Sequence, residues 1–585
     1  MIYQDYIRIL NIDLTTERIS IERREDLKKY LGGVGIASKL LEEKLNPSLP
    51  PLDPKQPVIF AIGPLTYVFP VMSKAVAMFI SPLTGELGES YAGGRFATML
   101  FYAGFDAVVI TGKARRPSFL SIKPNNVMIR DARSFWGGID DDKVARSIKE
   151  LESSGGKRSI LLVGAGGENL ASYASVAVDR YRHFGRMGLG AVLGSKNLKA
   201  ITVTGGRNIP IKDPKTYTKA YREIYKKCVD TDMMSKYHDV GTPINIMPLN
   251  AIGALPTENL RHASFEKAED VSGEKFSEQN LTRKLACVGC PVGCIHIGQF
   301  RRAFAEHGHE YETISEAYDF ELIFALGTFL RIGTPDEILE MIEAVEEAGL
   351  DAMSTGVVLG WATEALEKGL VSLEDTIVPL KFGDKEPYVQ AIANIAKPPN
   401  EFYQYLAKGC RAASKRYGGE DFAMHIAGNE MAGYHTGYGA LVGAAIAARH
   451  SHLCNAGYSI DQSGKEFEPQ SMLKALEKEE IERCMLNSLV MCLFARKVYD
   501  RPTVLLALNS LGWDLNDEEL SAIALRNYKT KLRIKKALGF SLNDIRLSKR
   551  FFETKSSTGM MDEKIAHDMI AAYQRRVEEI LAEDQ

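Results

Sequence analysis

The chain has 585 residues, 45% hydrophobic and 25% charged, ordinary proportions for a globular protein with material for several cores. Its 72 Lys and Arg nearly balance 75 Asp and Glu, and a pI near 6.5 leaves no basic field to attract nucleic acid or an anionic membrane. The longest uncharged apolar runs, 439–448 and 485–495, fall short of the roughly 18 residues that span a bilayer. The opening MIYQDYIRILNIDL lacks the basic start and apolar run of an export signal, so a cytoplasmic protein without membrane insertion is expected.

Residues 1–209 read as strand-rich. VIFAIGPL, AVAMFI, AVVITG, ILLVGAGG and KAITVTG are short apolar runs bounded by Gly, Pro or Ser. Glycines cluster at 32–35, 93–94, 164–167 and 185–190. None completes a dinucleotide fingerprint: Ser38 and Asn169 stand where a third glycine belongs. Gly194-Ser195-Lys196 likewise inverts the P-loop order. Tight turns account for these clusters, and so do backbone amides closing on the phosphates of a large cofactor, with Lys74, Arg182 and Arg186 nearby in sequence. From about residue 210 the apolar spacing becomes helical, at 335–348, 360–368, 469–483, 518–538 and 563–581. GGRNIPIKDP and AKPPNEF mark breaks. The expected fold class is α+β: a β-rich base over 1–209, then two mainly α-helical domains over 210–424 and 425–585.

Eight cysteines are too few for a disulfide framework. Three of them, Cys287, Cys290 and Cys294, fall within ACVGCPVGC. C-x2-C-x3-C gathers three thiolates, while Gly289 and Gly293 let the backbone wrap a bulky object and Pro291 stiffens the turn. Three local ligands and one remote thiolate suit a 4Fe–4S cluster. A zinc site or chance clustering are the alternatives, and the spacing is the reverse of a radical-SAM loop.

Read together, the motifs resemble the tungsten-containing aldehyde:ferredoxin oxidoreductases over most of the chain. LGGVGIASKLL is similar to the family's glycine turn. The segments from GPLTYVFPVMSKAV to ITGKA and from GENLASYASVAVDRYRHFGRMGLG to NLKAI resemble its two pterin-facing blocks. ACVGCPVGC resembles the cluster loop, HEYET the active-site segment and GLDAMSTG a pterin motif. The resemblance implies a tungsten (or molybdenum) bis-pterin lying on the first domain, one 4Fe–4S cluster, and magnesium as an optional bridge between pterin phosphates. It carries cofactor binding to Lys74, Tyr91, Ala92, Gly93, Gly94, Arg182, His183, Gly185, Arg186, Glu346, Asp351, Asn487 and Met491. The fourth cluster ligand becomes Cys492, with Cys484 its rival, and Cys410 and Cys454 become ordinary buried thiols. The chain departs from the pattern where Asn487 replaces an aspartate, Glu346 leads a D-x-x-G-x-D motif, Lys74 replaces an arginine and Tyr91 an asparagine. These mark a divergent branch.

The same resemblance names catalytic residues. Glu312 is expected as general base, with Glu310 two residues away as rival. His452, beside His450, is expected to donate to the carbonyl oxygen, and Tyr434 to add a further donor. His307-Gly308-His309 reads as a loop. The implied reaction oxidises an aldehyde and passes electrons to ferredoxin or a small polyferredoxin-like subunit, because the chain has no second cysteine cluster. Homo-oligomerisation is left open. Two alternatives stand: the catalytic subunit of a larger complex such as an aryl-acyl-CoA reductase, and an iron–sulfur protein that has lost its metal site.

Overall fold

The computed structural model describes residues 5–138, 141–152, 157–207, 211–232, 234–303, 310–464 and 466–583. Its first part holds two six-stranded sheets. One joins β1 (Ile7–Asp13), β2 (Arg18–Arg24), β3 (Val58–Ala61), β4 (Ala75–Ile80), β5 (Leu87–Ala92) and β6 (Ala107–Thr111) in the order β2-β1-β6-β3-β4-β5. The other joins β7 (Ser118–Lys123), β8 (Asn126–Asp131), β9 (Arg158–Val163), β10 (Val176–Val178), β11 (Arg182–Phe184) and β12 (Leu198–Thr204) in the order β11-β10-β9-β12-β7-β8. Every residue of β4, AVAMFI, is buried, as a strand covered on both faces requires. Helix Gly33–Lys44 packs on β3 and β4 and carries helices Pro469–Ser488 and Asp517–Ala537 on its other side.

That contact depends on glycine. Gly33 has φ +39°, and a Cβ there would stand 2.4 Å from the Asn487 carbonyl oxygen. The end of helix Pro469–Ser488 therefore rests on the first sheet, and the chain continues directly to Cys492.

Helices dominate after Thr204, and several start at a side-chain cap. Asp213 caps Pro214–Val229 and Asp351 caps Ala352–Glu367. Thr334 caps Pro335–Ala348, which ends at Gly349 with φ +66°. The middle of the chain also holds an antiparallel sheet, β13 (Leu281–Leu285), β14 (Ile295–Ala303) and β15 (Tyr311–Tyr318), that helical spacing did not announce. One apolar core runs through the helical regions from Ile246 to Tyr573, and another joins the first sheet to residues 485–534. Among the described residues no helix is long and apolar enough to cross a membrane.

Buried ions lock β5 to helix Asp517–Ala537. Lys531 Nζ lies 2.6 Å from Glu89 Oε2, with 2% and 0% of the side chains exposed. Lys535 Nζ lies 2.7 Å from Glu86 Oε2. Breaking a buried pair leaves a charge behind, so Lys531→Met should cost about 3–5 kcal/mol, since Arg449 alone, 3.8 Å away, would then face Glu89. Lys564→Met removes an exposed pair with Asp568 and should change stability by less than ~1 kcal/mol. Thermal denaturation of the two variants should separate them clearly; equal melting temperatures would remove the locking role.

Candidate active site

The cysteine loop follows β13 and lies against the first part of the chain. Val288 N donates to the Gly94 carbonyl at 3.2 Å, and Val71 N donates to the Gly289 carbonyl at 3.2 Å. A Cβ on Gly93 would stand 2.6 Å from Cys287 Sγ, so the glycine pair after Ala92 leaves room for the loop. Cys492 reaches the same place through its N–H, which donates to the Val71 carbonyl at 3.3 Å. Burial raises the Cys290 thiol pKa, and Cys492, Cys287 and Cys294 raise it further, so all four thiols share one neighbourhood. Cys294 is pushed up to about 12 by burial and then by Cys492, while Arg182 and Lys74 pull it back. The rival Cys484 packs elsewhere, with Tyr528, Leu532 and Ile580.

Among the described residues no three His, Cys, Asp or Glu side chains close around a point that would hold one metal ion. A zinc ion needs its sulfurs about 2.3 Å from one centre.

Arg182 links this loop to the catalytic candidates, since it acts on both Cys294 and Asp319. Asp319 accepts from Glu321 N at 3.0 Å and Leu322 N at 3.2 Å, capping helix Phe320–Leu326. The cap sets Glu321 in the first turn, with Oε1 3.0 Å from His452 Nε2. The Tyr434 ring lies 5.3 Å from His452 and stacks on Tyr458 at 4.3 Å. Burial raises the Tyr434 phenol well above its ordinary pKa, and Glu321 adds to the shift, which keeps it a donor.

Glu312 requires a correction. It lies near the far end of β15, exposed, with Oε2 3.1 Å from Arg302 in a cross-strand pair. Tyr318 lies six residues further along the strand, roughly 20 Å away at the usual strand rise. Glu310 is exposed as well, and His307-Gly308-His309 lies outside the described residues. The carboxylate at His452 is Glu321, which sequence reasoning missed. Its signal was Asp319 as a cap, followed by a first-turn acid and the run LIFAL. His450 is held apart, with Nε2 3.2 Å from Glu86 and 3.0 Å from Lys535 Nζ.

Some of the cofactor candidates meet one another. Arg186 Nε donates to Asp351 at 3.0 Å and its Nη2 to the Glu430 carbonyl at 2.9 Å. Ser354 bridges Asp351 and Glu430 at 2.6 and 2.7 Å. His183 Nε2 lies 2.7 Å from Glu346. Asn487 and Met491 are buried, Lys74 is half-buried, and Tyr91 commits its hydroxyl to Glu89 at 2.6 Å. Arg186, Glu430, Tyr434 and His452 line one cavity, together with apolar side chains such as Ile426, Leu441 and Phe551.

These residues fit a large polar group. Glu321 Oε1 and His452 Nδ1 are buried with no aligned hydrogen-bond partner, although Glu321 stands close to His452 Nε2. Half-buried Gly185 has nothing within 4 Å of a built Cβ, so space opens beside the arginines.

The chain resembles known proteins over most of its length. Residues 9–205 match the family model "Aldehyde ferredoxin oxidoreductase, N-terminal domain", and 219–578 match "Aldehyde ferredoxin oxidoreductase, domains 2 & 3". The tungsten-containing aldehyde ferredoxin oxidoreductase of Pyrococcus furiosus is 31% identical over 580 residues, covering 95% of this chain and 93% of its own. The aliphatic sulfonate oxidoreductase WOR-like subunit of the same organism is 28% identical, over 89% of this chain and 84% of its own. The solved BamBC complex of benzoyl coenzyme A reductase shares the fold, with TM-score 0.81 and 20% identity over 97% of this chain and 94% of that one. Two family models that together span nearly the whole chain, and a relative above 30% identity, place this protein in the aldehyde ferredoxin oxidoreductase family.

Proposed function

We propose that this protein oxidises aldehydes to carboxylic acids at a tungsten (or molybdenum) bis-pterin centre. Electrons leave through one 4Fe–4S cluster on Cys287, Cys290, Cys294 and Cys492 to ferredoxin or an iron–sulfur partner. The observation that carries this reading is Glu321 Oε1 3.0 Å from Nε2 of His452, which lines one cavity with Tyr434 and Arg186. Arg182, Arg186, His183, Glu346, Asp351, Gly93, Gly94, Asn487 and Met491 would hold the pterins. When bound, the metal pterin would accept the two electrons that the oxidation releases.

The chain's own residues manage charge and protons. Aldehyde plus water gives acid, two electrons and two protons. Glu321 takes a proton from the attacking water, a role suited to a carboxylate held in place by a helix cap and an imidazole. His452 and Tyr434 donate toward the carbonyl oxygen as negative charge develops there. The apolar wall of the cavity keeps bulk water away and strengthens both effects.

A second reading makes the chain the catalytic subunit of a larger complex, such as an aryl-acyl-CoA reductase. It is favoured by the fate of the other cysteines: Cys228, Cys410, Cys454 and Cys484 are buried thiols, so any longer wire lies on a partner. A viologen-linked screen of short, long and aromatic aldehydes, beside an aryl-CoA reduction assay and metal analysis, tests both. Aldehyde turnover with tungsten or molybdenum present supports the first; CoA-ester reduction alone supports the second.

A further inference from the structure

The surface around the cysteine loop carries groups that neither the cluster nor the active site uses. Gly289, at the loop tip, is exposed and turns with φ +73°. Beside it Tyr67 is 38% exposed, its ring 5.0 Å from Tyr102. Helix Pro214–Val229 extends this aromatic flank through Tyr217 and Tyr221 to Tyr225, which is 43% exposed. On the other flank, Phe494 follows Cys492 by two residues and stacks on Tyr237 at 4.1 Å. Three cations lie by that stack: Lys236, 5.5 Å from the Tyr237 ring, Arg496, which donates to Tyr237, and Lys497, next in the chain. Burial lowers the Lys236 pKa, Arg496 and Lys497 lower it further, and Asp232 opposes them. Among the described residues none of the three cations forms an ion pair.

We propose that this face docks a small acidic iron–sulfur protein, whose carboxylates meet Lys236, Arg496 and Lys497 while Tyr67 and Tyr225 meet its apolar rim. The inference rests on the cluster assignment above and adds the place where the electron leaves. Gly289 is exposed between Cys287 and Cys290, which are themselves half-buried, so a carrier seated there lies close to the thiols. Unpaired cations beside aromatic area steer an anionic partner and then hold it. A neutral or basic partner would leave those charges uncompensated. In each encounter one electron crosses: this protein's cluster is oxidised, the carrier's cluster is reduced, and no bond forms or breaks. Two encounters clear one two-electron turnover.

The test uses the holoenzyme, an acidic 4Fe–4S ferredoxin as probe, and the variant K236E/K497E. Direct binding and ferredoxin-linked turnover are measured at low and high salt, with viologen-linked turnover as reference. The variant should raise both Kd and KM for the ferredoxin on the order of tenfold and flatten their salt dependence, with viologen turnover unchanged. Unchanged Kd and KM would overturn the proposal. So would an equal loss with ferredoxin and viologen accompanied by a shifted cluster potential, which would make the cations tuners of the cluster. If the wild type turns over no aldehyde with viologen, the reaction assignment fails, while the binding measurement still decides the docking face.

Discussion

Replacing Glu321 by glutamine should lower aldehyde turnover by about 10²–10⁴-fold and leave metal, pterin and iron contents unchanged. Glutamine keeps the shape that Asp319 and the helix start impose, and it keeps an oxygen near His452. It removes the lone carboxylate charge at that imidazole, so proton removal from water loses its base. His452→Ala should cost about 10²–10³-fold if the imidazole donates to the developing oxyanion. Because both groups serve one transition state, the double variant should lose far less than the product of the two effects. Glu312→Gln and Glu310→Gln should run near the wild-type rate, since both carboxylates are exposed and Glu312 is engaged by Arg302. An active Glu321→Gln with an inactive Glu312→Gln would reverse the assignment.

That correction shows what the sequence made legible. The β-rich start, the helical remainder and the cysteine loop follow from short apolar runs, 3.6-residue spacing and a C-x2-C-x3-C pattern, all local signals. His452 and Tyr434 line one cavity with Arg186. Glu312 was misplaced because EYET and DFEL both offer an acid after an aromatic residue, nine positions apart. Only the strand from Tyr311 to Tyr318 tells them apart, by carrying one to the surface and the other to the histidine. The Glu86, Glu89, Lys531 and Lys535 network was equally hidden. Lys531 and Lys535 sit four apart on a helix and read as a solvated stripe; their burial comes from β5, some 440 residues earlier in the chain. Periodicity reports that a helix has a charged face, not what covers it.

Cys492→Ser should abolish or convert the 4Fe–4S cluster, whereas Cys484→Ser should leave its spectrum and iron content intact. The two cysteines are eight residues apart but meet different surroundings. Cys484 lies on the buried face of helix Pro469–Ser488, against Tyr528 and Leu532, with Lys531 nearby. Cys492 lies beyond the helix end, after Val490 has turned the chain with φ +51°, and its N–H is fixed on the Val71 carbonyl. Val71 also binds the Gly289 carbonyl, so one backbone segment of the first domain registers both halves of the ligand set. Three thiolates from one loop cannot enclose a cubane alone; the fourth has to arrive from the side that this segment holds open. Serine keeps the fold at 492 and offers a poor ligand to iron, so loss of cluster absorbance with an unchanged melting profile of the helical core is the expected pair of results. A cluster that survives Cys492→Ser and vanishes in Cys484→Ser would mean that helix Pro469–Ser488 turns its buried face toward the loop, against the packing described here.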